Sequence, residues 1–75
     1  MTLKRLKNEL SEIGEVLAAK EGVVLTVFMR GRNLSKEPTL SKIQEFILEY
    51  AAEKYPMIEV FINDNDFLLA VLKQK

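Results

Sequence analysis

The segment Phe67–Lys73, FLLAVLK, is apolar at every position but the last. Side chains alternate between the two faces of a strand. One face of this segment would therefore carry Phe67, Leu69 and Val71, and the other Leu68, Ala70 and Leu72. A strand apolar on both sides belongs in the middle of a sheet and needs cover above and below. The whole chain has 75 residues, enough for a single domain with a modest core. The question it raises is what covers the second face.

Two other segments read as strands. VVLTVFM, from Val23 to Met29, is β-branched and aromatic and lies between Gly22 and Gly31. MIEVFIN, from Met57 to Asn63, alternates. Between it and Phe67 stand Asn63, Asp64, Asn65 and Asp66, residue types that tolerate tight turns, so the last two strands should form an antiparallel hairpin.

Two stretches carry the helical period. Leu3, Leu6, Leu10, Ile13 and Leu17 recur at steps of three and four, which predicts a helix capped by Thr2 and closed by Gly22. Gly14 lies inside it, as a tolerated helical glycine or as a point where another backbone comes close; the first reading is preferred. Leu40, Ile43, Phe46, Ile47, Tyr50, Ala51 and Tyr55 form a broader face, predicting a second helix from Pro38 to about Lys54. Thr39 or Ser41 would cap it, Ser41 and Gln44 having the spacing of a capping box. Pro56 would stop it.

The expected fold is α+β: helix, strand, helix, strand, strand, with two helices packed on a three-stranded mixed sheet in one domain spanning residues 1–75. The strand–helix–strand unit implies two parallel strands. The apolar last strand should lie between them, with a simple meander as the alternative. The aliphatic rows Val23, Leu25, Val27, Met29 and Ile58, Val60, Ile62 should meet the helices. The opposite face then holds Val24, Phe28, Met57, Phe61 and one row of the last strand, for which Leu68 and Leu72 are chosen. A monomer rarely exposes so large a contiguous apolar patch. Either the first helix crosses to that side, or a second molecule covers it. A homo-oligomer or a protein partner is the leading expectation.

Chemistry is sparsely signalled. There is no Cys and no His, so Ser–His and Cys–His nucleophilic pairs are ruled out and the usual zinc ligands are missing. No pair of carboxylates stands out for acid–base work, and no cofactor motif is visible, so a non-enzyme is expected. Asp64-Asn65-Asp66 lacks the glycine and the distal glutamate of an EF-hand loop. Arg30, Gly31, Arg32 and Lys36 could cradle an anion near a helix start. A bend with surface charges is the preferred reading, because the glycine pattern of a phosphate loop is absent. Phe28 and Phe61 beside Arg30, Arg32, Lys73 and Lys75 could stack and clamp single-stranded nucleic acid. The 11 basic and 11 acidic side chains balance, however, against the basic excess such binders carry. Glu45, Glu49 and Glu53 repeat at steps of four, and Lys4, Arg5 and Lys7 crowd the start of the first helix; the two sets could relieve each other, though two solvated faces are the plainer reading. No stretch has the length of a membrane span, and the cytoplasm is the expected address.

The stretches TVFMRGRNLS and EKYPMIEVFIND…LLAVLK resemble the small C-terminal domain of the dihydroxyacetone-kinase-like fatty acid kinases, over residues 25–73. That resemblance implies a strand, glycine turn, helix, strand and hairpin. It also implies an accessory module, since the kinase chemistry of that family belongs to another domain. The family's hairpin carries Gly-Gly-Gln-Pro where this chain has Asn63-Asp64-Asn65-Asp66, so a binding role of that hairpin does not carry over.

Overall fold

The computed structural model describes residues 1–52, 54–63 and 66–74. Glu53, Asp64, Asn65 and Lys75, and the expectations that rest on them, lie outside the described residues. The chain runs α1 (Leu3–Ser11), β1 (Glu15–Glu21), β2 (Val24–Arg30), α2 (Thr39–Ala51), β3 (Met57–Asn63) and β4 (Phe67–Lys73). The α+β class is as expected. The sheet has four strands in the order β1-β2-β4-β3, not three.

The additional strand comes from the second half of the expected first helix. Thr2 does cap α1, its hydroxyl accepting the Arg5 N–H at 3.1 Å. The helix ends at Ser11, where the Leu10 carbonyl accepts the N–H groups of both Ile13 and Gly14. Glu15–Glu21 then pairs antiparallel with β2, from Glu15↔Arg30 to Glu21↔Val24. Gly22 therefore closes a hairpin and not a helix. Its φ of +60° suits the first position of a two-residue turn, which favours glycine. Tertiary pairing here overrides the helix propensity of a Leu-, Ala-, Lys- and Glu-rich segment.

β4 lies between β2 and β3 and is antiparallel to both. β2 and β3 are consequently parallel to each other but not adjacent, and every hydrogen-bonded pair is antiparallel, so the sheet is not mixed. The middle position of β4 and its antiparallel pairing with β3 are as expected; the Asp66 N–H donates to the Asn63 carbonyl at 3.2 Å.

Both helices lie on one face. Leu6 and Leu10 of α1 and Ile43, Ile47, Tyr50 and Ala51 of α2 are buried in one core with Leu25, Val27 and Met29 of β2 and Leu68, Ala70 and Leu72 of β4. Each fully buried Leu, Ile or Met contributes about 1.5–3 kcal/mol of transfer free energy. Pro38 precedes α2 without a side-chain cap, and the Ser41 hydroxyl donates back to the Glu37 carboxylate, so no capping box forms. Glu45 lines the crevice between the helices with Glu9, Glu12 and Lys42, and not with Lys4, Arg5 or Lys7.

Candidate functional site: the open face of the sheet

The face away from the helices is uncovered. Cross-strand register organises it into four rows. The first, Leu17, Phe28, Leu69 and Phe61, is apolar from edge to edge. On one side of it lies Glu15, Arg30, Phe67 and Asn63; on the other lie Ala19, Thr26, Val71 and Glu59, then Glu21, Val24, Lys73 and Met57. Leu17 is 71% exposed, Phe61 53% and Met57 52%. Phe28, Phe67, Leu69, Val71 and Val24 are half-buried by their neighbours.

Val24, Phe28, Met57 and Phe61 stand on this face as expected. Leu68 and Leu72 do not. They are fully buried against the helices, because the pairings Met29↔Leu68 and Leu25↔Leu72 put them on the core side with the aliphatic row of β2. The exposed row of β4 is Phe67, Leu69 and Val71. Leu17, in step with the helical period of the sequence, joins this face through β1; its only sequence signal is a hairpin at Gly22.

The aromatic groups gather at one end. The Phe28 and Phe67 rings lie 5.8 Å apart, tilted by 37°, and the Arg30 guanidinium sits 5.6 Å from the Phe67 centroid, within cation–π range. Phe28, Phe61, Phe67 and Leu69 surround a shallow apolar depression of about 470 Å³.

The Arg30–Arg32 corner adjoins it. Arg30, Gly31 and Arg32 share a depression of about 350 Å³ with Glu15, Asp66 and Phe67. Asp66 thus stands with Arg30 and Arg32, while Lys36 is not among the lining residues. Two amides of this loop are engaged within the chain. The Gly31 N–H donates to the Asp66 carbonyl at 2.9 Å, and the Asn33 N–H donates to the Asp66 carboxylate at 3.3 Å. The loop thus holds the Asp66 carboxylate through the Asn33 amide, and Glu15 pairs across the strands with Arg30.

Away from the face, the Tyr50 and Tyr55 rings stack at 5.9 Å inside the core. Burial pushes the Tyr50 hydroxyl above the ordinary tyrosine range, with its hydrogen bond and charge interaction with Tyr55 adding to the effect. Among the described residues, no three acidic side chains gather in a way that could hold a metal ion, and no helix is long and apolar enough to cross a membrane. Compared with known protein families, curated proteins and solved structures, the chain matches none.

Proposed function

We propose that this chain is a small non-catalytic interaction module that docks a protein through the open face of its sheet. The observation that carries this reading is the row Leu17–Phe28–Leu69–Phe61, apolar across all four strands with both of its ends more than half exposed. Burying such a row against a partner gains about 25 cal/mol for each Å² of apolar area. The resemblance to an accessory domain of the fatty acid kinases is compatible with a docking role and adds no chemistry to it.

The test is a photo-crosslinking amino acid placed at Phe61, with Lys42 on the helical side as control. Adducts identified by mass spectrometry should be protein, reproducible and confined to position 61. Equal labelling at both positions, or none at 61, defeats the reading.

A second reading rests on Arg30 over Phe67 beside Phe28: bases of a single strand could stack there with phosphates at Arg30 and Arg32. Glu15 and Asp66 in the same depression oppose it. It requires salt-dependent oligonucleotide binding that disappears in Arg30→Ala/Arg32→Ala, or nucleic-acid adducts at position 61.

A further inference from the structure

Resting on the docking reading, we infer that the occupant of the open face is a second copy of the same chain, packed sheet to sheet about a two-fold axis parallel to the strands. Such an axis keeps each residue's level along the strand and reverses the strand order. β1 then lies over β3 of the second copy, and β2 over β4.

The rows of this sheet are complementary to themselves under that operation. Leu17 comes over Phe61 of the second copy and Phe28 over Leu69. Every phenylalanine of the apolar row meets a leucine, so bulky and smaller side chains interleave across the seam, as packed sheets require. Glu15 lies over Asn63, Arg30 over the Phe67 ring, and Lys73 over Val24, whose cross-strand neighbour is Glu21; Glu21 over Met57 and Glu59 over Ala19 are the polar-on-apolar contacts, all outside the Leu17–Phe28–Leu69–Phe61 row. No two carboxylates and no two cations are superposed, and Lys73 of each copy comes beside Glu21 of the other.

The other in-plane two-fold, perpendicular to the strands, keeps strand order and reverses the levels. It would set Glu15 over Glu21, Phe28 over Thr26 and Phe61 over Glu59. Like charges would meet and the apolar row would face polar groups. Opposed like charges across an interface select against that partner, so the register favours the axis along the strands.

The area suffices. Four strands about 4.8 Å apart and seven residues rising about 3.4 Å each give about 450 Å² of flat face, or about 900 Å² for two copies before side-chain relief. Relief brings this to the roughly 1,000 Å² at which specific interfaces begin. The expected dimer is reversible, and isologous contact closes it at two copies.

Sedimentation equilibrium from about 1 to 100 µM tests association, and paired cysteines test the axis. The chain has no cysteine of its own, so any disulfide is an introduced one. Residues 15 and 63 sit on opposite edges of one sheet, about 14 Å apart, too far to bridge within a chain, and both lie outside the apolar row. Glu15→Cys/Asn63→Cys should give disulfide-linked dimers under mild oxidation. Glu15→Cys/Glu21→Cys reports the perpendicular axis and should stay monomeric on a non-reducing gel. Phe61→Asp, at an exposed position, should keep the circular dichroism spectrum and lose the dimer. Linkage of the second pair and not the first overturns the proposed arrangement. A wild type that stays monomeric at about 100 µM while position 61 crosslinks to a different protein overturns self-association and leaves the docking reading intact. Monomer with no crosslink at 61 removes both.

Discussion

A Cβ added to Gly31 would stand 3.3 Å from the Cα of Gly14: two glycines let the chain leaving α1 and the chain leaving β2 cross with their backbones in contact. The crossing is tighter from the other side. A Cβ at Gly14 would lie 2.7 Å from the Arg30 carbonyl oxygen, closer than side-chain carbons come to anything. Gly14 is not a tolerated helical glycine, as its sequence context suggests, but the point of this backbone contact.

Gly14→Ala should therefore destabilise the fold by about 1–3 kcal/mol, the range for forcing a methyl into packed space. The obstacle is backbone that cannot swing aside. Gly31→Ala should cost less, because its nearest neighbour, at 3.2 Å, is the end of the Leu34 side chain. Urea unfolding of the two variants checks the order; equal midpoints would mean that the crossing can relax.

Gly22→Ala isolates a different cause. Nothing lies within 4 Å of a Cβ there, and φ is +60°, so the cost is backbone conformation alone, about 1 kcal/mol. Gly22→Asn should recover part of it, since asparagine tolerates the left-handed region. If Gly22→Ala were neutral, the hairpin would be turning some other way.

These glycines also mark where the sequence was legible and where it was not. β2, α2, β3 and β4 each begin or end at a glycine, a proline or a polar turn, and periodicity finds them within a few residues. β1 has no such contrast. Glu15, Leu17, Ala18, Ala19 and Lys20 are good helix formers, and Leu17 falls in step with Leu3, Leu6, Leu10 and Ile13. Only the partner strand tells them apart, and pairing is non-local. The side chosen by β4 is hidden for a related reason. Both of its rows are apolar, so composition cannot say which one meets the helices; the register Val27↔Ala70 decides it. The open face was legible through Val24, Phe28, Met57 and Phe61, because β2 and β3 each have one purely aliphatic row and one row in which these apolar residues are mixed with polar ones.

Asp66 organises the corner beside that face. Asp66→Ala removes the acceptor of the Asn33 N–H but keeps the backbone bond to Gly31. The expected loss is about 0.5–1.5 kcal/mol, and Asp66→Asn, which retains an acceptor oxygen, should lose less. Thermal melts of the two variants check this. An unchanged Tm in Asp66→Ala would show that the carboxylate bond contributes nothing to the loop.

Tyr50 gives a pH dependence of definite sign. Its hydroxyl pKa is raised in the fold, chiefly by burial and then by Tyr55. Around and above the ordinary value of about 10, the unfolded chain releases this proton before the folded one does. The unfolded state then binds fewer protons, and stability falls as pH rises. The contribution is complete below about pH 10 and is lost above it. Denaturation midpoints from about pH 8 to 11 should decline more steeply in wild type than in Tyr50→Phe. Parallel curves would remove Tyr50 as the cause.

The two faces of the sheet should separate stability from association. Leu72 is fully buried, so Leu72→Ala should cost about 2–5 kcal/mol in unfolding free energy through the cavity it leaves. Phe61, half exposed on the opposite face, pairs across the strands with Leu69 and lies outside the core. Phe61→Ser should change unfolding of the isolated chain, measured at a concentration below association, by only about 1 kcal/mol, the scale of a cross-strand pair. Any partner bound across the face should nonetheless be released by that change, since an apolar side chain at the end of the Leu17–Phe28–Leu69–Phe61 row is replaced by a hydroxyl that gains nothing from burial. Unfolding curves and sedimentation on the same two variants give a crossed result if the faces are assigned correctly. Were Phe61→Ser to unfold the chain while Leu72→Ala left it stable, the helices would have to lie on the other side of the sheet.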